Sequence, residues 1–124
     1  MISIAAVFIG GGLGSLSRFL ISNIVTIYFS TWLPVATLFS NFLSCLVFGV
    51  LLYFLPEKMA VNSGFRLLFI TGFCGGFSTF SAFSFETAEL FRTGNSVYAI
   101  ANIIISVLLC VGIFYLVQSG KNLR

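Results

Sequence analysis

Four long apolar runs constrain this chain more than any other feature of its sequence. A transmembrane helix needs about 20 mainly apolar residues to cross the hydrocarbon core of a bilayer. The runs cover roughly residues 2–27, 32–55, 67–92 and 94–117, and the connections between them are short. We therefore predict an all-α integral membrane protein, in which residues 1–124 form a single four-helix transmembrane domain.

The composition supports a membrane location and argues against several other classes of protein. Of the 124 residues, 59% are hydrophobic and only 7% are charged, whereas a soluble domain carries about 25% charged residues. A water-facing fold of this size cannot hide so much apolar surface. The net charge of +3 comes from scattered residues that form no basic patch, so we expect no nucleic-acid partner.

Catalytic and metal-binding signals are weak. The chain has no histidine, no nucleophile paired with a base and no acidic pair at membrane depth, so we predict that it is not an enzyme. Cys45, Cys74 and Cys110 lie far apart in apolar runs, without a C-x-x-C pair. This spacing argues against a zinc site or a disulfide framework, and favours small buried hydrophobic side chains.

Residues Gly72–Phe83 are unusual because they lie in an apolar run but weaken a helix. Each glycine costs about 1 kcal/mol relative to alanine in a helix interior. Gly75 and Gly76, followed by Ser78 and Thr79, predict an unwound turn that breaks the third helix at its centre. Irregular backbone at membrane depth is tolerated only where it is buried in protein or lines a polar cavity. We therefore place a functional centre here, beside Phe80 and Phe83.

Polar residues recur at helical spacing on two other runs. In the second run they are Thr37, Ser40, Asn41 and Ser44, and in the fourth they are Asn102, Ser106 and Cys110. Such a stripe can line a polar path or join neighbouring helices. The Asn41 amide must find partners or water in hydrocarbon, so it is the strongest candidate for a path. Gly10 and Gly14 form a G-x-x-x-G pattern, which favours close packing of helices.

Few charged residues lie inside the runs. Arg18 is the only cation well within one, and it either reaches the interface or forms an electropositive vestibule that attracts anions. Glu89 and Arg92 are explained by a local helix ion pair. Glu86 is closer to Phe83, so we treat it as a possible pore-adjacent residue.

The distribution of positive charge gives a weak orientation signal. One side of the membrane would carry Lys58, Arg66, Lys121 and Arg124, and the other would carry Arg18 and Arg92. This near balance is compatible with insertion in both orientations, and hence with an antiparallel dimer. It is equally compatible with a single orientation.

Three motifs in order resemble the small bacterial fluoride channels called Fluc, or CrcB-like, proteins. Gly10–Arg18 is similar to the family's glycine-rich first helix with its arginine, and Thr37–Ser44 to its second-helix segment with the asparagine. Gly75–Glu86 resembles the family's most specific motif, G-G-x-T-T-F-S-T-F-x-x-E. The likeness covers nearly the whole chain.

The resemblance implies a multi-pass protein of the bacterial inner membrane that exports fluoride passively. It implies an antiparallel homodimer of dual topology, with four helices per subunit and two pores. The fluoride pathway would contain Phe80, Phe83, Asn41, Ser81, Ser106, Cys110 and Thr37. A structural Na⁺ would be held by the backbone carbonyls of Gly75 and Ser78, with counterparts from the second subunit. Cys110 and Ala82 depart from the hydroxyl residues that are usual in the family, and Ser78 replaces a threonine.

Two other functions fit the size and hydropathy of the chain. A small proton-coupled multidrug exporter also has four short helices, but it needs an acidic residue in the first helix, and none is present here. A non-transporting membrane assembly subunit would use the glycines and serines only for packing.

Overall fold

The computed structural model describes residues 2–29, 34–55 and 63–122, and within these ranges all regular secondary structure is helical. The helices are α1 (Ile2–Phe29), α2 (Val35–Phe54), α3 (Gly64–Arg66), a π-helical stretch (Leu67–Cys74), α4 (Gly75–Phe77), α5 (Phe80–Arg92) and α6 (Ser96–Asn122). Four segments are long and apolar enough to cross a membrane: Ile2–Phe29, Val35–Phe54, Gly64–Arg92 and Ser96–Asn122. The prediction of an all-α protein with four such helices is confirmed.

The ends of the segments differ from the sequence-based boundaries by a few residues. The third segment begins at Gly64, where the Ser63 side chain accepts a hydrogen bond from the Arg66 amide. The α5–α6 turn contains Gly94 at φ +79°, a left-handed conformation that glycine adopts without steric cost. The predicted start of the second run at residue 32, and the loop cations Lys58 and Arg124, lie outside the described residues.

Glycines bring α1 against the third segment at backbone distance. A methyl group at Gly72 would lie 2.9 Å from the Gly10 Cα, and one at Gly14 would lie 2.8 Å from the Phe77 amide nitrogen. Gly76 likewise packs against the backbone of Gly11. The G-x-x-x-G pattern in α1 therefore meets a second one, Gly72 and Gly76, and small residues on both sides permit the close approach.

The interior of the fold is unusually polar. Its buried residues include Thr37, Ser40, Ser44, Thr87, Asn102 and Ser106, beside the apolar Val25, Cys74, Phe77, Leu90 and Ala99. Large apolar side chains along the long helices are exposed instead, for example Phe8 at 80% and Leu108 at 67%. A bundle with hydrogen-bonding groups inside and apolar groups outside is suited to a hydrocarbon solvent, and the protein is a multi-pass membrane protein.

The third segment leaves helical geometry at two residues only. Ser78 (φ −78°, ψ 155°) and Thr79 (φ −147°, ψ 111°) are extended, and α5 begins at Phe80. The sequence-based prediction that unwinding includes Gly75 and Gly76 is wrong, because both belong to α4. Gly76 is needed for close packing against α1, and this packing offsets its poor helix propensity.

Candidate functional site

Asn41 on α2 holds the two extended residues of the third segment in place. Its Oδ1 accepts a hydrogen bond of 2.7 Å from the Thr79 amide, and its Nδ2 donates to the Thr79 carbonyl at 3.4 Å. The Thr79 hydroxyl then accepts from the Ala82 amide at 3.2 Å and caps α5. The Thr79 carbonyl also accepts from the Phe83 amide at 3.5 Å, so it is the Thr79 amide that depends on Asn41 for its partner in the membrane interior.

A cavity of about 290 Å³, which we call the aromatic cavity, lies between α2, α5 and α6 beside these residues. It is lined by Asn41, Cys45, Ser78, Thr79, Phe80, Phe83, Ser106, Val107, Cys110 and Val111. The rings of Phe80 and Phe83 are 5.9 Å apart at an interplanar angle of 39°, and Phe80 is 79% exposed. No charged side chain is among the lining residues, so this cavity offers dipoles and ring edges but no full charge.

Ser106 gives the aromatic cavity a free hydroxyl. The residue is only 7% exposed, and its Oγ finds no hydrogen-bond partner among the described residues. A buried polar group without a partner is costly, so this hydroxyl is available to a water molecule or an ion. Cys110, one turn further along α6, places its Sγ 3.8 Å from the Asn41 carbonyl oxygen.

A second cavity of about 260 Å³, which we call the arginine cavity, lies on the other side of Thr79. It is lined by Ser15, Arg18, Phe19, Ser22, Ala36, Thr37, Ser40, Thr79, Ala82 and Glu86. The Arg18 Nε donates to the Gly76 carbonyl at 3.4 Å, and the Thr37 hydroxyl donates to Glu86 Oε1 at 2.7 Å. Glu86 Oε2 and Ser40 Oγ are buried without partners in the described part of the chain, so they can take up water.

The structure divides the predicted pathway residues between these two cavities. Asn41, Phe80, Phe83, Ser106 and Cys110 come together in the aromatic cavity. Thr37 lies in the arginine cavity with Arg18 and Glu86. Ser81 lines neither cavity, and its exposed hydroxyl is 3.2 Å from that of Thr79.

Thr79 and Cys45 were not singled out from the sequence as site residues. Thr79 lines both cavities, and its place just before α5 matches the preference of helix N-caps for threonine, a signal that the sequence contains. Cys45 lines the aromatic cavity, but in the sequence it is one apolar residue among many.

A third cavity lies near the residues predicted to hold a cation. It is lined by Ser44, Cys45, Phe48, Ile70, Thr71, Cys74, Gly75, Ser78 and Phe114. The Cys74 carbonyl accepts hydrogen bonds from the Ser44 hydroxyl at 2.8 Å and from the Ser78 hydroxyl at 3.1 Å. Gly75 is exposed, and the Thr79 amide, four residues on, donates to Asn41 rather than to the Gly75 carbonyl.

A buried relay, formed by two hydrogen bonds of the Thr87 hydroxyl, joins the start of α5 to α6. The Thr87 hydroxyl donates to the Phe83 carbonyl at 2.7 Å and accepts from Asn102 Nδ2 at 3.0 Å. Thr87 and Asn102 are 6% and 9% exposed, so neither group has ready access to water as a substitute. The relay holds Phe83, and therefore one wall of the aromatic cavity, against α6.

Comparison with known proteins places the whole bundle in one family. Residues 5–118 match the family model described as CrcB-like protein, Camphor Resistance (CrcB). Three similar curated proteins carry the name Fluoride-specific ion channel FluC. The one from Ruminiclostridium cellulolyticum is 39% identical over 110 residues (89% of this chain and 85% of the relative). The relative from Pyrococcus abyssi is 41% identical over 108 residues (87% of this chain and 86% of the relative). The relative from Coxiella burnetii is 34% identical over 123 residues (98% of this chain and 99% of the relative). The chain therefore belongs to the CrcB-like protein family.

Proposed function

We propose that this protein is a fluoride-selective ion channel that exports fluoride passively across the membrane. Its curated relatives are named as fluoride-specific channels, and they are matched over most of their length. A channel is not an enzyme, and no bond is made or broken in conduction.

The observation that carries the proposal is the chemistry of the aromatic cavity. A fluoride ion must exchange its hydration shell for protein groups, yet be bound weakly enough to leave again. The Ser106 hydroxyl has no protein partner and can donate to the ion. The rings of Phe80 and Phe83 carry positive edges that can face an anion. Because no fixed cation lines this cavity, the ion is stabilised by dipoles and is not trapped.

The arginine cavity suits a vestibule that leads to this constriction. The Arg18 guanidinium creates a positive potential that raises the local concentration of anions. Thr79 lines both cavities and is held by Asn41, so we place these two residues at the entrance of the narrow part. Thr37 and Glu86 then belong to the vestibule, and Ser81 lies beside it through its contact with Thr79.

We propose that the third segment acts as a broken helix whose freed carbonyls hold a Na⁺ ion. The residues present fit such an ion, because Na⁺ is a hard cation that prefers oxygen ligands. The Gly75 carbonyl does not accept the Thr79 amide, and Ser78 has extended backbone. Space around Gly75 is open, since a methyl group there would have no neighbour within 4 Å among the described residues. When bound, the ion would supply a fixed positive charge and join two subunits.

We further propose that two copies assemble in antiparallel orientation and form two pores. Gly75 and Phe80 are exposed in the isolated chain, which leaves both proposed ion sites incomplete on one side. A second copy would supply the missing wall of each. The near balance of positive charge across the membrane is compatible with insertion in both orientations.

Fluoride efflux from liposomes that contain the purified protein tests the function. The wild-type protein should release fluoride, measured with a fluoride electrode, and should not release chloride. Phe80→Ile should abolish or greatly reduce the flux, whereas Phe85→Ile should conduct normally, because Phe85 is 68% exposed and lines none of the three cavities. Chloride release as fast as fluoride release would refute the selectivity. Absence of fluoride flux, with dye efflux driven by a pH gradient, would favour the exporter instead.

A further inference from the structure

Two thiols from different helices face the aromatic cavity. Cys45 on α2 and Cys110 on α6 both line it, and both are partly accessible. The Cys110 Sγ lies 3.8 Å from the carbonyl oxygen of Asn41, the residue one helical turn before Cys45. Asn41 and Cys45 lie on the same helix, so Cys110 packs against the stretch of α2 that carries Cys45. Both are free cysteines.

We propose that Cys45 and Cys110 form a binding site for a soft, two-coordinate metal cation of the mercuric type, and that the bound metal closes the aromatic cavity. Thiolate sulfur is a soft ligand that selects soft cations over Na⁺ and other hard ions. Within residues 2–29, 34–55 and 63–122 no group of three or more metal-ligating side chains exists. The pair therefore fits an ion that is satisfied by two sulfur ligands in a line, and not a tetrahedral zinc ion.

The binding step balances without an oxidant. Two S–H bonds break, two protons leave to the solvent, and two S–Hg bonds form with one Hg²⁺ ion, with no change in the oxidation state of any atom. The product is electrically neutral. Neutrality matters here because a net charge in the low-dielectric interior of a membrane protein is costly. Mercury bound at this place lies beside Ser106 and Phe83, where it fills the proposed path of the anion.

The third cysteine provides an internal control. Cys74 is only 2% exposed, and it lines the cavity beside Gly75 and not the aromatic cavity. Cys45 borders both cavities, so Cys45 and Cys74 are the competing pair that the variants must distinguish. Only the pair of Cys45 and Cys110 places the metal against the aromatic rings.

The effect on flux rests on the proposed channel function, so binding and conduction are measured separately. Mercuric nitrate in chloride-free buffer is added to the purified protein, and bound mercury is counted by native mass spectrometry. The same reagent is added to liposomes during fluoride efflux, and each variant is compared with its own uninhibited rate. Wild-type protein should bind one mercuric ion per chain and lose most of its efflux, and excess dithiothreitol should remove the bound mercury and restore the efflux.

The cysteine variants decide the outcome. Cys110→Ser and Cys45→Ser should each lose tight mercury binding and sensitivity of the efflux, whereas Cys74→Ser should retain both. Loss of binding in Cys74→Ser but not in Cys110→Ser would overturn the assignment of the pair. Tight binding that needs Cys45 and Cys110 but leaves efflux unchanged would overturn the claim that the metal closes the path. If wild-type liposomes release no fluoride at all, the channel function fails, while the binding count still tests the site.

Discussion

Replacing Asn41 by aspartate should separate its proposed role in conduction from its role in holding the third segment. The carboxylate keeps an oxygen that can accept the Thr79 amide, a hydrogen bond of 2.7 Å in the native protein. It also brings a negative charge to the entrance of the aromatic cavity. At a separation of about 4 Å and an effective dielectric constant of about 20, this charge repels an anion by about 4 kcal/mol. We therefore expect fluoride efflux to fall by about a thousand-fold.

Replacing the same residue by leucine should instead reduce stability. Asn41→Leu leaves the Thr79 amide and carbonyl without a partner from α2. A buried donor left unsatisfied costs about 1–3 kcal/mol. The thermal midpoint of Asn41→Leu, followed by size-exclusion chromatography after heating in detergent, should be lower than that of Asn41→Asp.

The assay compares fluoride efflux from liposomes with the thermal midpoint for each variant. Asn122→Asp is the matched control, because it introduces the same charge at an exposed residue at the end of α6. It should conduct and unfold like the wild type. The reasoning is refuted if Asn41→Asp conducts at the wild-type rate, or if Asn41→Leu is as stable as the native protein.

Two further predictions concern the stability of the helix bundle. Gly76→Ala would place a methyl group 3.0 Å from the Gly11 Cα, where only backbone could move, so we expect a loss of about 1–3 kcal/mol in thermal unfolding. The methyl group of Gly112→Ala would have no neighbour within 4 Å among the described residues, so this variant should not lower the thermal midpoint. Equal thermal midpoints for both variants would contradict the packing argument. Thr87→Val keeps the side-chain shape but leaves buried Asn102 Nδ2 without its acceptor, which should cost about 1–3 kcal/mol in the same assay. An unchanged midpoint would show that water replaces the lost partner.

The four spanning helices were predictable because run length and hydropathy are properties of the local sequence. The contacts between the glycines of α1 and those of the third segment were not predictable in this way. Gly75 and Gly76 read as a helix-breaking pair, since each costs about 1 kcal/mol of helix propensity. The sequence does not show that Gly76 lies against the backbone of Gly11, where a larger residue could not fit. Because tertiary packing keeps Gly76 in a helix, the extended residues are Ser78 and Thr79 and not the glycines.

The polar stripe of α2 shows a similar limit to what the sequence alone can predict. Thr37 and Asn41 share one helix face, which suggested a common path. They are one turn apart, about 6 Å along the axis, and that distance is enough to place them in different cavities. The family motif could be read from the sequence, but the division of its residues between the arginine cavity and the aromatic cavity depends on where α5 begins.

The extended residues also give the proposed anion path an attractive group, although no cationic residue lines the aromatic cavity. An unbroken third helix would place its N-terminus at Gly64, far along the chain from Phe80. Because the backbone leaves helical geometry at Ser78 and Thr79, α5 starts at Phe80, beside the aromatic cavity. A helix N-terminus carries a partial positive charge of about half an elementary charge. We infer that Asn41, by stabilising the extended residues, keeps this partial charge beside the proposed path, where it would attract an anion more weakly than a fixed cation that would retain it.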